Sequence, residues 1–462
     1  MADLLEDIRS VVGENGIITG EAVHERPADW LGRTNCTARA LVRPASTQEV
    51  SRVLALCNET GQTVVPAGGL TGLVHGTDAG AGDLVLSLER MSAVEDIDPL
   101  GKTMTVQAGA KLQSVQEAAD EAGLCFALDL GARGSCAIGG NISTNAGGNQ
   151  VIRYGMMREQ VLGLEAVLAD GTVLSSMNTL LKNNTGFDLK QLFIGGEGAL
   201  GVVTRAVLRL RPKPISRNTA FIGVESFDAV TKLFALMGEK LAGSLSAFEV
   251  MWRDFYHLIA FETGNHTPPL PDGFSHYVIV ETEGADPERD ADQFSAALEA
   301  AVEEELAADA VIAQSDSQRQ AIWAIREDVV AFMGALWPLF VFDVSMPMRH
   351  MNDYVETLSA ALKEKWDDKA RMVVFGHIGD GNLHIAVTVG SDDDDARKAV
   401  EELVYSPLEA IGGSVSAEHG IGLEKKKYLR LSRSPEELAT MRAIKRALDP
   451  NNILNPGKVF DL

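Results

Sequence analysis

Two histidines flank a glycine-rich turn in the stretch Gly376-His377-Ile378-Gly379-Asp380-Gly381-Asn382-Leu383-His384. An Asp-Gly pair favours a two-residue hairpin loop, and a loop at Asp380-Gly381 places His377 directly opposite His384. Opposed residues of an antiparallel pair have Cβ atoms about 5 Å apart on one face of the sheet. The spacing therefore predicts that the two imidazoles converge on one point, as two ligands of a metal ion do.

A second stretch decides between a metal site and two histidines on a solvated hairpin. The segment Ser416-Ala417-Glu418-His419-Gly420 supplies a carboxylate and a third imidazole. Imidazole and carboxylate together are typical ligands of zinc and related transition metals. The sequence therefore favours a metal site over a solvated hairpin.

Size and charge limit the classes of protein to consider. The chain has 462 residues, enough for two or three domains. Its formal net charge of −24 argues against nucleic acid or an anionic membrane as a partner, because binding to phosphates needs a basic face. The apolar segment 329–342 contains Pro338 and is too short to cross a bilayer, so we expect a buried strand or helix end.

The cysteines and the N-terminal residues indicate a compartment. Cys36, Cys57, Cys125 and Cys136 show no C-x-x-C spacing and are typical of the reduced thiols of a cytosolic protein. The first seven residues are acidic and lack a basic signal or an arginine-rich transit pattern. We expect a soluble, cytoplasmic protein.

The first half of the chain alternates strand and helix signals with glycine-rich loops. A strand near 40–43, a helix from the capping-box sequence Ser46-Thr47-Gln48-Glu49, and a strand at 62–66 predict a β-α-β unit. A glycine-rich loop follows at 66–73, and a longer one spans 131–148. Glycine allows backbone N–H groups to approach a ligand closely, so both loops are candidate binding loops.

A third loop, Gly195-Gly196-Glu197-Gly198-Ala199-Leu200-Gly201, contains a G-x-G-x-x-G pattern. The dinucleotide fingerprint needs a strand before this pattern and a helix after it. Here a helix-like segment precedes it and the β-rich residues 202–204 follow. The pattern is therefore not a Rossmann fingerprint.

Two prolines in Arg211-Pro212-Lys213-Pro214 indicate a domain boundary. Beyond it, strands and amphipathic helices alternate, which predicts an α+β domain with an antiparallel sheet and helices on one face. The predicted strands are 220–224, 277–281, 371–375 and 385–389, and the predicted helices are 227–241, 289–305 and 352–366.

Six stretches resemble, in order, the signatures of the vanillyl-alcohol-oxidase-type flavoproteins, in the branch of D-2-hydroxy-acid dehydrogenases. That branch holds D-2-hydroxyglutarate dehydrogenases, D-lactate dehydrogenases and the glycolate oxidase flavin subunit. The stretches are 66–72, 131–148, 197–204, 376–384, 418–420 and Asn455-Pro456-Gly457.

The resemblance implies an α+β fold with three parts. Residues 1–213 would form an FAD-binding domain of two subdomains, 214–415 a cap domain with an antiparallel β-sheet and helices, and 416–462 a segment that returns to complete the FAD site. The residues implied in FAD binding are Pro66, Ala67, Gly68, Gly69, Leu70, Thr71, Gly72, Leu73, Gly134, Ser135, Ile138, Gly139, Asn141, Thr144, Ala146, Gly148, Glu197, Gly198, Gly201, Val203 and Asn455.

The same resemblance implies how the flavin is held. Relatives that bind the flavin covalently usually use a histidine in the first loop. Leu70 and Thr71 occupy those positions here, although His75 lies slightly later. We therefore expect non-covalent FAD.

The implied reaction moves a hydride from the carbinol carbon of a 2-hydroxy acid to flavin N5 while the hydroxyl loses a proton. His377, His384 and Glu418 would hold a divalent ion that binds the substrate, and three protein ligands favour Zn²⁺, with Mn²⁺ or Fe²⁺ as alternatives. His419 would be the base and would contact the substrate together with the two histidine ligands. Arg326 would bind the substrate carboxylate.

The substrate is predicted by two opposing features. The run Ser246-Ala247-Phe248-Glu249-Val250-Met251 resembles the D-2-hydroxyglutarate enzymes, while the stretch 343–347 resembles a strand that the whole family has beside the cap site. The resemblance also leads us to expect a lysine where Phe340-Val341-Phe342 stands and an asparagine at Ala386. We place D-2-hydroxyglutarate first, with D-lactate, D-malate or glycolate as alternatives.

Two other classes of function are less favoured. A non-catalytic flavin subunit would lack the metal and base residues, and an oxygen-using oxidase would lack the metal ligands and often carry a covalent histidine. The expected electron acceptor is an electron-transfer flavoprotein or a quinone, and the expected assembly is a homodimer.

Overall fold

The computed structural model describes residues 4–28, 30 and 34–462. The chain divides into two compact units. Unit 1 comprises Met1–Gly148, Gly155–Lys213 and Glu418–Leu462, and unit 2 comprises Asn149–Tyr154 and Pro214–Ala417.

Strands and helices alternate along the described residues. The strands β1 to β18 are Ile17–Thr19, Ala40–Val42, Val64–Ala67, Leu84–Ser87, Val94–Asp98, Thr103–Gln107, Leu124–Cys125, Val161–Val167, Val173–Ser176, Val202–Arg209, Arg211–Pro212, Ser216–Val224, Leu245–Trp252, His276–Gly284, Asp309–Ile312, Phe340–Ser345, Arg371–His377 and Asn382–Thr388. The helices α1 to α15 are Leu4–Val12, Glu21–His24, Thr47–Thr60, Leu112–Glu121, Ile138–Ser143, Val151–Tyr154, Met157–Gln160, Phe227–Leu241, Arg253–His257, Pro287–Glu303, Asp316–Glu327, Val329–Leu336, Met351–Trp366, Asp394–Tyr405 and Pro435–Leu448.

Unit 1 contains two principal sheets that share a large hydrophobic core, and a smaller hydrophobic cluster covers the other face of the first sheet. The first sheet has the order β1-β2-β4-β3, and β2, β4 and β3 are parallel. The second is antiparallel, in the order β5-β6-β10-β8-β9. Helix α3 begins as predicted, with the Ser46 side chain accepting a hydrogen bond from the Glu49 N–H. The predicted β-α-β unit is present, but β4 lies between β2 and β3.

Unit 2 is built on a seven-stranded antiparallel sheet in the order β15-β12-β14-β13-β17-β18-β16. The prediction of helices on one face is wrong, because helices pack on both. Phe248 contacts Phe234 of α8 with ring centroids 5.0 Å apart, while Phe375 on the opposite face contacts Phe255 of α9 at 4.4 Å. Consecutive residues of β13 are buried, as expected for a strand covered on both sides.

The hairpin of β17 and β18 differs from its predicted register. Phe375 lies opposite His384, and residues 378–381 form the connection, with a short 3-10 helix at Ile378–Asp380. The prediction that His377 lies directly opposite His384 is wrong, because only Gly381 (φ 89°) of the Asp-Gly pair has the positive φ that both central residues of a type I′ turn need. The register differs by two residues, which keeps both histidines on one face.

The short segment Asn149–Tyr154 belongs to unit 2 although the chain on both sides of it belongs to unit 1. The buried Glu283 carboxylate on β14 accepts hydrogen bonds from Gln150 Nε2 (3.1 Å) and from the Tyr154 hydroxyl (2.9 Å). It also accepts one from Arg217 Nη2 at 2.5 Å. The Glu283 carboxylate therefore helps to fix this segment to the end of β14, an interior strand of the unit 2 sheet.

The apolar segment 329–342 is divided between α12 and the start of β16. Phe332 and Leu336 are buried, but Val330 is 81% exposed, so the prediction of a buried segment is confirmed only in part. In the described part of the chain, the search for a helix both long and apolar enough to cross a membrane found none.

Candidate active site

One face of the unit 2 sheet carries a cluster of polar side chains at the ends of its central strands. Glu249 on β13 lies opposite His377 on β17, and Ser345 on β16 lies opposite Asn382 on β18. In the neighbouring row, Asp343 and Phe375 lie on either side of His384. Antiparallel pairing therefore brings side chains from four strands to one place.

The two predicted histidine ligands lie together on this face. The ring centroids of His377 and His384 are 5.4 Å apart and the ring planes are nearly perpendicular, at 80°. Their potential ligand atoms lie within 4.8 Å of one another, and the same holds for His384 and Asp343. His377 is buried and His384 is half-buried. This spacing suits ligands of one transition-metal ion.

His377 is held by a buried carboxylate that the sequence prediction did not include. Glu249 is 1% exposed, and its side chain is hydrogen-bonded to His377 Nδ1 and to Arg326 Nε, the latter at 2.8 Å. Burial raises the pKa of Glu249, but the interactions of its carboxylate with His377 and Arg326 outweigh burial and lower the pKa to about 2. Glu249 is therefore a carboxylate at neutral pH.

Arg326, the predicted ligand of the substrate carboxylate, lies on α11 within this cluster. Its Nη2 is 3.3 Å from His377 Nε2, and its guanidinium carbon is 4.4 Å from the centre of the Phe375 ring. The side chain is almost fully buried. Arg326 is thus a part of the cluster rather than a residue of the helix surface.

Asp343 is fully buried at the other side of His384 and anchors the chain before the second motif. Its Oδ2 accepts hydrogen bonds from the Ala417 N–H at 3.1 Å and from the Ser416 hydroxyl at 3.4 Å. Glu418 and His419 are the next two residues of the chain. The predicted third metal ligand and the predicted base therefore follow this anchor directly.

Two further side chains of the hairpin indicate a polar ligand at this face. Asn382 is 3% exposed, and neither of its side-chain amide atoms has a hydrogen-bond partner among the described residues. Leaving a buried polar group unsatisfied costs about 1–3 kcal/mol. Burial raises the pKa of Asp380 to about 6. A polar ligand would satisfy the Asn382 amide.

The predicted flavin-binding loops lie close together in unit 1. The first loop consists of Pro66 and Ala67, which end β3, and of Gly68 to Leu73, which follow. The second loop surrounds α5: it includes Gly134 and Ser135 before the helix, Ile138, Gly139 and Asn141 within it, and Thr144, Ala146 and Gly148 after it. A Cβ atom on Gly69 would lie 2.2 Å from the Ser135 carbonyl oxygen, and one on Gly148 would lie 1.9 Å from the Asp129 carbonyl oxygen. Only glycine permits this approach, whereas a Cβ on Gly72 would meet nothing within 4 Å. The loops thus combine close backbone packing with open space, as a cradle for a dinucleotide needs.

Left-handed backbone at non-glycine residues recurs in these segments. Leu70 (φ 57°), Asn145 (φ 50°), Glu197 (φ 49°) and Asn455 (φ 45°) each lie in or beside a predicted flavin-binding stretch. Such conformations are unfavourable for residues with a Cβ atom and cluster at functional sites. The strain supports a binding role for the loops.

Glu197 and Asn455 connect the loops of unit 1 through their side chains. The Glu197 carboxylate accepts hydrogen bonds from the N–H groups of Ile421 (2.8 Å) and Gly422 (2.9 Å), and burial raises its pKa. Asn455 Nδ2 donates to the Glu197 carbonyl at 2.8 Å and to the Gly76 carbonyl at 3.3 Å. The tail and the segment after His419 are therefore fixed to the third loop, in which Gly198 and Gly201 precede Val203 of β10.

Sequence reasoning missed Glu249, Asp343 and Asn382 as members of the site. All three lie within the stretches that carry the family resemblance. For Glu249 and Asp343 the available signal was an acidic residue within a strongly apolar strand, since a charge there requires a buried partner. The partner is set by strand order, and the sequence does not reveal that order.

Comparison with known proteins agrees with this architecture. Residues 213–459 match the family of FAD linked oxidases, C-terminal domain, and residues 38–176 match an FAD binding domain. The solved structure of p-cresol methylhydroxylase with substrate bound has the same fold, with a TM-score of 0.76, 17% identity and coverage of 99% of this chain and 96% of that chain.

Relatives of known name extend over nearly the whole chain. A D-2-hydroxyglutarate dehydrogenase of Xanthomonas citri pv. viticola is 42% identical over 94% of this chain and 91% of that protein. A putative mitochondrial D-lactate dehydrogenase of Schizosaccharomyces pombe is 38% identical over 97% of this chain and 88% of that protein.

The fold and the matched families show that this protein is a flavoprotein and an oxidoreductase. The chain belongs to the FAD-linked oxidase family, in the branch that includes the D-2-hydroxyglutarate and D-lactate dehydrogenases. The resemblance and the fold class predicted from the sequence are confirmed.

Proposed function

We propose that the protein is an FAD- and metal-dependent dehydrogenase that oxidises D-2-hydroxyglutarate to the 2-oxo acid. The dependence on a metal is supported by His377 and His384, which lie on one face of the unit 2 sheet with their potential ligand atoms within 4.8 Å of one another. The relatives named above support the substrate class.

His377, His384 and Glu418 would hold the ion, with Zn²⁺ placed before Mn²⁺ and Fe²⁺. When bound, FAD accepts the hydride, and the ion lowers the pKa of the substrate hydroxyl. His419 would take the hydroxyl proton. The residues of the three unit 1 loops and Asn455 would bind FAD without a covalent bond. The hydrogen bond between His75 Nδ1 and Asp78 Oδ2, at 3.1 Å, supports this because it already occupies one nitrogen of the nearby histidine.

Arg326 would bind the substrate carboxylate. A guanidinium group has five N–H donors, and Glu249 takes the Nε–H. The planar Nη groups suit a bidentate contact with a carboxylate. Burial excludes most competing water and thereby strengthens this contact.

The choice among the candidate substrates depends on how the protein would bind the distal carboxylate of D-2-hydroxyglutarate. Val341 lies opposite Ala386 in the row next to Asp343 and His384, so this part of the face is apolar. Asn382, two residues before His384 on the same face, would bind the distal carboxylate in place of the expected lysine and asparagine. D-lactate, D-malate and glycolate need no such contact and are the alternatives.

The remaining assignments are proposals of the same kind. Residues 1–213 would bind FAD, 214–415 the substrate, and 416–462 would complete both sites. An electron-transfer flavoprotein or a quinone would reoxidise the flavin, and the protein would be a homodimer. The absence of C-x-x-C spacing among its four cysteines favours a reducing compartment, for which we propose the cytoplasm.

The proposed function is tested by adding a panel of hydroxy acids to the oxidised protein without oxygen. D-2-hydroxyglutarate should bleach the flavin absorbance near 450 nm, the ordinary flavin band, and the L-enantiomer should not. Bleaching by D-lactate or D-malate alone would replace the substrate, and no bleaching by any D-2-hydroxy acid would refute the activity. The peroxide yield, compared with reduction of an artificial dye, separates a dehydrogenase from an oxidase.

A further inference from the structure

We propose that Glu249 is a positioning residue that orients His377 for metal binding, an inference that rests on the proposed metal-dependent function. None of the relatives' names or the matched families assigns a role to this residue. Its place in the cluster follows from strand order, because β13 is the neighbour of β17 on the side away from β18.

The contact is made across adjacent strands and does not depend on a loop. Glu249 and His377 are directly paired residues of β13 and β17, and both are at most 5% exposed. The Glu249 carboxylate is hydrogen-bonded to His377 Nδ1. A directly opposed pair within a buried sheet has little freedom to rearrange, so this contact fixes the plane of the imidazole ring.

The second nitrogen of the ring establishes the tautomer. Arg326 Nη2 lies 3.3 Å from His377 Nε2, and a guanidinium nitrogen can only donate a hydrogen bond. His377 Nε2 is therefore the acceptor and carries the lone pair, while Nδ1 carries the proton and donates it to Glu249. A neutral imidazole with its lone pair on Nε2 is the form that coordinates a metal ion, and a bound ion would take that lone pair in place of the Arg326 donor.

A buried positive charge lies beside the carboxylate. Arg326 Nε is 2.8 Å from Glu249 Oε2, so the two opposite charges pair and hold the carboxylate next to His377. Ligating histidines commonly donate their other N–H to a carboxylate, and loss of that carboxylate weakens metal binding roughly ten- to a hundredfold.

A second buried carboxylate in the same sheet provides a matched control. Glu281 on β14 is 3% exposed and accepts hydrogen bonds from Thr219 (2.7 Å) and from Trp323 Nε1 (2.8 Å). Like Glu249 it lies on the face of the sheet that contacts α11, but it forms no hydrogen bond with a histidine among the described residues. Any general cost of replacing a buried carboxylate should therefore appear in both positions.

The test compares zinc affinity in Glu249→Gln, Glu281→Gln and the wild-type protein, by competition with a chromogenic chelator. Glu249→Gln should bind zinc about ten- to a hundredfold more weakly, and excess zinc should restore its flavin reduction by substrate. Glu281→Gln should keep wild-type zinc affinity. Flavin absorbance and the thermal midpoint report whether each variant is folded.

A buried guanidinium left without its carboxylate could unfold Glu249→Gln, so the double variant Glu249→Gln/Arg326→Gln is measured as well. It removes the unpaired charge and should still bind zinc weakly. Wild-type zinc affinity in a folded variant without Glu249, or equal weakening by Glu281→Gln, would overturn the inference.

His384→Ala separates this inference from the proposed function. If that variant binds zinc as the wild type does, or the wild type binds none, the metal site itself is refuted and the role of Glu249 falls with it. If His384→Ala loses zinc and Glu249→Gln does not, the metal site stands and only the positioning role is refuted.

Discussion

At the scale of single residues, the site depends on how buried polar groups are satisfied. Glu249, Asp343 and Asn382 all lie on the face that carries the two histidines, and all three are at most 3% exposed. Glu249 and Asp343 have the partners described above, whereas both amide atoms of Asn382 have none among the described residues. Asn382 is therefore the residue whose hydrogen bonds a bound substrate would complete.

Replacing Asn382 by leucine should separate binding from stability. Because the amide is buried without partners, the free energy of unfolding should stay constant or rise by about 1 kcal/mol. The KM for D-2-hydroxyglutarate should rise about tenfold or more, since a lost hydrogen bond to a charged group is worth about 1.5–3 kcal/mol. Steady-state kinetics and urea unfolding measure the two effects.

Thr388→Val, at the far end of the same strand, is the control and should leave KM unchanged. A large loss of stability in Asn382→Leu with an unchanged KM would show that the amide is bound within the protein itself.

At the scale of elements, amphipathic segments were predictable and strand partners were not. Helix α8 has the bounds that its apolar periodicity predicts, because a helix is closed by hydrogen bonds within its own segment. The four strands predicted in unit 2, which are β12, β14, β17 and β18, were also located to within four residues. Their order, and with it the contact of Glu249 with His377, depends on pairing between distant segments. The hairpin register was wrong for a local reason, the conformation at Asp380.

The strand β14 carries a histidine that should make stability depend on pH. Burial lowers the pKa of His276 from 6.5 to about 4. Between those values the unfolded chain binds a proton that the folded chain does not, so stability falls as the pH falls from 6.5 towards 4. The loss is about 1.4 kcal/mol for each pH unit and on the order of 3 kcal/mol in all.

His276→Gln should remove this part of the pH dependence, as measured by urea unfolding at pH 7, 6, 5 and 4. The exposed His24→Gln is the control and should retain the wild-type slope. Equal slopes in the wild type and His276→Gln would contradict a buried neutral histidine at this position.

At the scale of the whole molecule, the chemistry is divided between two units with separate hydrophobic cores. The predicted flavin-binding residues all lie in unit 1, whereas the paired histidines, Glu249 and Arg326 lie in unit 2. The six signature stretches were recognisable from sequence because each is local. The packing of the residues around these stretches could not be predicted, because it depends on contacts between distant segments.

Removal of the metal should therefore affect substrate oxidation without releasing the flavin. Dialysis against a chelator should leave the flavin absorbance and its stoichiometry unchanged while D-2-hydroxyglutarate no longer bleaches it, and added zinc should restore bleaching. Metal analysis of the same sample shows whether the ion has been removed. Full bleaching in protein free of metal would refute the role of the ion.

The carboxylate of Glu283 has a consequence for engineering this enzyme. Two of its hydrogen-bond donors, Gln150 and Tyr154, come from a segment that is 60 or more residues away along the chain from the rest of unit 2. A fragment that spans 214–417 would lack these donors and leave the buried charge partly unsatisfied, at a cost of about 1–3 kcal/mol for each lost bond. Transplanting unit 2 into another flavoprotein therefore requires two pieces of this chain, the long one and the six-residue one.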